Sequence, residues 1–172
     1  DAVIDNSFQL AVSEKDAAHQ LKINRLHNGG DLNYGFYNRT NPTYVRVYVP
    51  AGAVLAGITG YSQVDYPPLL GHADYNFKTD PDLRALEAGT SHPLPGVDVY
   101  TESGKTVFGF WLVLKPKESK SVTVSYHTTG TDNGYSLLWQ KQSGTSADLA
   151  SVTLDGQLLY SGDLSVDRAL KP

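Results

Sequence analysis

Residues 43–49, Thr-Tyr-Val-Arg-Val-Tyr-Val, alternate cleanly: Val45, Val47 and Val49 fall on one side, and Tyr44, Arg46 and Tyr48 on the other. A period of two is the signature of a half-buried antiparallel strand, whereas a helix would repeat its apolar residues at three and four. Pro50-Ala51-Gly52 ends the run, and 53–59 reads as the next strand. The pattern then recurs through the chain. Residues 97–100 and 106–114 are rich in β-branched and aromatic side chains and flank Ser103-Gly104, a hairpin signal. Pro116-Lys117-Glu118-Ser119 is a polar turn before 121–127, where Val122, Val124 and Tyr126 point inward and Thr123, Ser125 and His127 outward. Asp132-Asn133-Gly134 is a turn because Asn and Gly tolerate positive φ, and it leads to 135–142, with Tyr135, Leu137 and Trp139 on one face. Residues 149–154, Asp155-Gly156 and 157–160 form the last such unit. Short strands broken by regular turn signals predict an all-β fold. The expected form is a single antiparallel β-sandwich over 1–172, immunoglobulin-like or jelly-roll-like.

Two regions read less simply. Near the N-terminus Phe8, Leu10 and Val12 alternate, as do Leu21 and Ile23, which predicts a hairpin turning at 13–16; a helix starting at Ser13 competes with it, since Glu14-Lys15-Asp16-Ala17-Ala18 are good helix formers behind a capping residue. The stretch 61–96 interrupts the strand pattern and is rich in Pro, His, Asp and Tyr. Inside it, Asp80 followed by Pro81 and closed by Gly89 supplies the start and stop signals of one short helix. A long excursion in a compact domain is the first place to look for a binding surface.

Composition narrows the chemistry. There is no Cys, so disulfides, thiolate nucleophiles and thiolate-bound metals are excluded. Lys and Arg number 14 against 18 Asp and Glu, which argues against a nucleic-acid partner held on a basic face. No apolar run approaches the ~20 residues of a membrane-spanning helix. The chain opens on Asp1 rather than Met, so the expectation is a processed or excised piece.

Chemistry-bearing motifs are sparse. The histidines, His19, His27, His72, His92 and His127, show no short ligand spacing. His72 and Asp74 with His92 could be gathered by the excursion into a metal site, but solvated loop residues are the plainer reading; no metal and no cofactor are expected. No Gly-x-Ser-x-Gly elbow, phosphate loop or dinucleotide fingerprint is present, and no catalytic residues are assigned. Asn38-Arg39-Thr40 is a glycosylation sequon. Tyrosine supplies 11 of the aromatic residues, against 5 Phe and 2 Trp, so most of these rings carry a polar tip. Tyr34, Phe36 and Tyr37 cluster before residue 43, Tyr44 and Tyr48 share the outer face of that strand, and Tyr61, Tyr66 and Tyr75 lie in the excursion. Such rings suit sugar stacking or a protein interface, though tyrosine is also ordinary sheet filler.

Three blocks carry a family likeness: Tyr44-Val45-Arg46-Val47-Tyr48-Val49-Pro50-Ala51-Gly52-Ala53, Thr101-Glu102-Ser103-Gly104-Lys105-Thr106-Val107-Phe108-Gly109, and Tyr135-Ser136-Leu137-Leu138-Trp139-Gln140-Lys141-Gln142-Ser143-Gly144-Thr145. In this order they resemble the C-terminal part of a bacterial membrane-anchored family known as domain of unknown function number four-zero-one-two. The likeness spans about residues 20–145. It implies a distal, extracytoplasmic end of a membrane-tethered surface protein, favours strand at 18–27, and carries no catalytic residues.

The expected function is therefore a non-catalytic, extracytoplasmic cell-surface domain for binding or assembly, in contact with a glycan or a protein. Its expected binding residues are Tyr61, Tyr66, His72, Tyr75 and His92 in the excursion. Two readings compete: a structural subunit that polymerises by edge-strand pairing or by donating 1–12 or 163–172, and a cell-wall glycan hydrolase.

Overall fold

The computed structural model describes residues 2–64, 78–129, 134–142 and 148–172. The chain is all-β and sandwich-like, and its strands fall into two compact units. The first comprises Asp1–Pro42, Gly52–Tyr61 and Val113–Pro172; the second comprises Thr43–Ala51 and Ser62–Leu112.

The first unit is built on a six-stranded sheet in the order β11 (Gln157–Leu164), β10 (Asp148–Leu154), β1 (Ile4–Ser13), β2 (Ala18–His27), β8 (Ser119–His127), β4 (Val54–Thr59). Strands β1 (Ile4–Ser13) and β2 (Ala18–His27) form the N-terminal hairpin, in unbroken register from Ile4 opposite His27 to Ser13 opposite Ala18. The turn between them places Ala17 at φ 48°, with its N–H on the Glu14 carbonyl at 3.1 Å, so the helix-forming residues after Ser13 sit in a tight turn rather than a helix. Alternation decides this outcome: Leu10, Val12 and Ile23 share the buried face, which a helix would have scattered. Strand β8 (Ser119–His127) pairs antiparallel with β2 and with β4 (Val54–Thr59), and Val122, Val124 and Tyr126 are buried as the sequence predicts. On the other side β10 (Asp148–Leu154) pairs with β1 in parallel, from Ser7 opposite Leu149 to Val12 opposite Leu154. This is a departure from a purely antiparallel sheet. Parallel neighbours need a long connection, and here much of the chain lies between them. Strand β11 (Gln157–Leu164) closes the sheet through a hairpin whose Asp155 and Gly156 both have positive φ, 47° and 81°, as a two-residue type I′ turn requires.

A short ribbon, β9 (Leu137–Trp139) with β12 (Arg168–Leu170), supplies the facing layer. Tyr135, Leu137, Trp139 and Leu170 pack onto the buried cluster Leu10, Val12, Val152 and Leu154, and Phe8 meets Trp139 at 5.9 Å between ring centroids. The sequence expectation of a longer strand over 135–142 is thus met by a core of three residues. The Asp132-Asn133 part of its turn lies outside the described residues.

The second unit carries the four-stranded sheet β3-β7-β6-β5: β3 (Asn41–Val49), β7 (Lys105–Leu114, running on into the first unit), β6 (Val97–Glu102) and β5 (Ser91–Leu94). Strands β6 and β7 join through Ser103 (φ 51°) and Gly104 (φ 70°), again a type I′ turn. Val47, Val49, Val97, Phe108, Phe110 and Leu112 are buried. Helix α1 (Pro81–Ala88) is capped by Asp80, whose Oδ1 accepts the Asp82 and Leu83 N–H groups at 2.8 and 3.2 Å. Beyond the helix, 91–94 of the expected excursion is a strand paired with β6, a short edge interrupted by Pro93 and so hard to see in sequence. Among the described residues no helix is long and apolar enough to cross a membrane.

Candidate functional site

Strand alternation assembles the site on one face of the four-stranded sheet. Tyr44, Arg46 and Tyr48 project from β3, and Asp98, Tyr100 and Glu102 from β6, each at every second position. Strand β7 lies between them, and its register sets Gly109 opposite Asp98 and Val107 opposite Tyr100. Gly109 explains how β3 reaches β6. A Cβ there would lie 2.1 Å from the Tyr44 hydroxyl, so the bare backbone is the gap through which the phenol passes to donate to Asp98 Oδ2. This glycine is needed for close approach, not for its backbone angles.

Two polar networks result. In one, Asp98 accepts the Tyr44 hydroxyl on Oδ2 and holds His92 Nδ1 at 2.8 Å on Oδ1, while the Tyr44 ring meets Trp111 edge-on at 5.3 Å. In the other, Glu102 Oε2 accepts the Tyr48 hydroxyl at 2.8 Å and an Arg46 N–H at 3.1 Å, and the Arg46 guanidinium lies over the Tyr48 ring at 5.5 Å. A groove of about 240 Å³ runs along them, lined by Tyr44, Arg46, Glu87, Thr90, Asp98, Tyr100 and Glu102. Burial, then the hydrogen bond to Asp98, pushes the Tyr44 phenol well above its ordinary range. Tyr48 is raised by partial burial and by Glu102, and a hydrogen bond with Tyr100 holds Arg46 firmly cationic. At neutral pH Tyr44 and Tyr48 are therefore neutral phenols beside the Arg46 guanidinium. Rings with satisfied polar edges are held in place without further ordering on contact.

The sequence-derived residues divide. His92 stands in the first network, on β5, exposed but oriented by Asp98. Tyr61 is half-buried just after β4, in the other unit. Tyr66, His72 and Tyr75 lie outside the described residues, and so does Asp74 of the metal reading. Among the described residues no three His, Asp or Glu gather into a metal cluster. Sequence reasoning marked Tyr44 and Tyr48 as a paired outer face but missed Asp98, Tyr100, Glu102 and Trp111. The available signal was the alternation within 97–102, which puts those two carboxylates and the tyrosine on one side.

Two other regions resolve into structural roles. His27 is 1% exposed; its Nδ1 accepts the Gly29 N–H at 3.0 Å and its Nε2 meets the Arg39 carbonyl at 2.9 Å, which ties both ends of the 28–40 loop. Asn38, the sequon residue, is consumed in the same loop: Oδ1 accepts the Gly30 and Leu32 N–H groups and Nδ2 donates to the Leu32 carbonyl. In the six-stranded sheet a groove of about 230 Å³ includes Asn6, Ser7, Asn24 and Arg25, but Asn6 donates to Asp148 and Asn24 to Ser7, so its amides serve the sheet itself.

No family model matches the chain. No curated protein matches it either.

Proposed function

We propose that this chain is a non-catalytic binding module, exposed outside the cytoplasm on a bacterial cell surface, that holds a glycan on the outer face of its four-stranded sheet. The observation that carries the reading is a groove lined by Tyr44, Arg46, Asp98, Tyr100 and Glu102, with Tyr48 and His92 bonded to its carboxylates and Trp111 against the Tyr44 ring. Sugar rings offer apolar C–H faces and a rim of hydroxyls, and this surface offers aromatic faces rimmed by carboxylates and a guanidinium. Location at the cell surface, and tethering of a longer parent, rest on the resemblance of the three sequence blocks. The carboxylates are engaged with the tyrosine hydroxyls and the guanidinium, which suits a role in orienting rings.

Titration calorimetry against fragments of bacterial surface polysaccharide tests the reading. Tyr48 is 41% exposed, so Tyr48→Ala should weaken binding at least tenfold and leave the melting temperature within a few degrees. Unchanged affinity would remove the sheet face from the account. Assembly by edge pairing is the second reading, favoured by one observation: β11 and β4 are the outer strands of the six-stranded sheet, with Leu158 and Val54 64% and 65% exposed. Donation of a terminal strand is harder to support, because β1 lies inside that sheet and β12 is paired with β9. Sedimentation velocity separates the readings, since a binding module stays monomeric as concentration rises.

A further inference from the structure

The two networks on the sheet face are copies of one device at a fixed spacing. Each has a tyrosine of β3 donating its hydroxyl to a carboxylate of β6: Tyr44 to Asp98, and Tyr48 to Glu102. Both members advance by four residues, so the stations stand ~13 Å apart along the strands. Arg46 and Tyr100 lie between them, and the groove runs past both. A compact ligand would use one station; only an extended one uses two.

Charge restricts what that ligand is. Among the described residues Asp98, Glu102 and Glu87 line the groove, and their lining cation, Arg46, is already ion-paired to Glu102 at 3.1 Å. An anionic sugar would bring its carboxylate, sulfate or phosphate against three carboxylates, with that guanidinium drawn in two directions. A hydroxyl meets the opposite situation. A carboxylate offers about four lone-pair sites, and at Asp98 the protein's own donors, Tyr44 and His92, take one on each oxygen, leaving room to accept a sugar O–H. Resting on the glycan reading above, we infer that the face is built for an extended, uncharged oligosaccharide lying along β6 and spanning both stations.

Binding of neutral hexose oligomers from one to six rings, and of uronic-acid oligomers of matched length, tests this by calorimetry. Affinity should rise with length in the neutral series until both stations are filled, the hexamer binding at least tenfold tighter than the single ring. The uronic series should bind at least tenfold more weakly than the neutral one. Tyr48→Ala and His92→Ala, one in each station, should each flatten the length dependence. Their side chains are largely at the surface, and unchanged far-ultraviolet circular dichroism separates lost binding from lost folding. A single ring binding as tightly as the hexamer, or uronic oligomers binding as tightly as neutral ones, overturns the inference while glycan binding stands. If neither series binds, the inference and the glycan reading fall together.

Discussion

Gly109→Ala is the sharpest structural perturbation of the site, because its effect should reverse sign with one neighbouring side chain. The added methyl would sit 2.1 Å from the Tyr44 hydroxyl and 2.7 Å from its Cζ, so the ring must leave its place over β7. Leaving breaks the hydrogen bond to Asp98, where a bond to a charged acceptor is worth about 1.5–3 kcal/mol. It also disturbs the edge-on contact with Trp111, worth about 0.5–1.5 kcal/mol. Asp98 is 31% exposed, which argues for the lower part of the first range. Alanine recovers about 0.5–1 kcal/mol in a strand because it loses less backbone entropy than glycine. The expected net destabilisation is about 1–3 kcal/mol. In a Tyr44→Ala background the obstruction is gone, and Gly109→Ala should stabilise by about 0.5–1 kcal/mol. Urea denaturation of the four proteins of this double-mutant cycle measures the coupling directly. An equal cost of Gly109→Ala in both backgrounds would refute the claim that the glycine exists to admit the phenol.

Three further outcomes follow from the same geometry. Gly104→Ala should cost about 1–2 kcal/mol in urea denaturation, and Gly104→Asn less; with φ at 70° and no atom within 4 Å of the new Cβ, the cost is backbone strain alone, and a neutral Gly104→Ala would contradict the type I′ turn. His27→Ala should destabilise by about 2–4 kcal/mol and open 28–40 to proteolysis, since it strips partners from the Gly29 N–H and the Arg39 carbonyl; a protease-resistant variant would show that the loop is held elsewhere. Alkaline titration followed by phenolate absorbance should show a late group of tyrosines. Burial raises Tyr126 and pushes Tyr135 up to about 12, and Tyr44 is raised by burial and Asp98. The folded state prefers these phenols neutral, so their contribution to stability is complete below the ordinary value near 10 and is lost as pH rises through about 12. Uniform titration of all tyrosines near 10 would contradict their burial.

What could be read from the sequence, and what could not, follows the range of the interactions. The alternations at 43–49 and 121–127, the Ser103-Gly104 and Asp155-Gly156 hairpins and the Asp80 cap are set by residues within a few positions of each other, and all appear where the local chemistry puts them. The hairpin at 4–27 also prevailed over a locally credible helix, because only a strand buries Leu10, Val12 and Ile23 together. The site was legible in halves. Tyr44 and Tyr48 announced an outer face, but Tyr44 and Asp98 are 54 residues apart, and nothing local says that β6 stands within reach of β3. Gly109 is the extreme case: in sequence it is only an unfavourable residue inside a strongly apolar strand, and its purpose appears only when a ring from another strand crosses it. His27 likewise carried no signal in the sequence and proved to be a buried clamp, because its partners are backbone groups.

The central claim is that the sheet face, and not another surface, is where this chain meets its ligand. Chemical-shift mapping by heteronuclear NMR with a neutral oligosaccharide tests it most directly. The account predicts perturbed resonances at Arg46, Tyr48, Asp98, Tyr100 and Glu102 and at the Trp111 indole N–H, with the six-stranded sheet unaffected. Perturbations confined to the 28–40 loop or to the Asn6, Asn24 and Arg25 groove, with the sheet face silent at saturation, would contradict it.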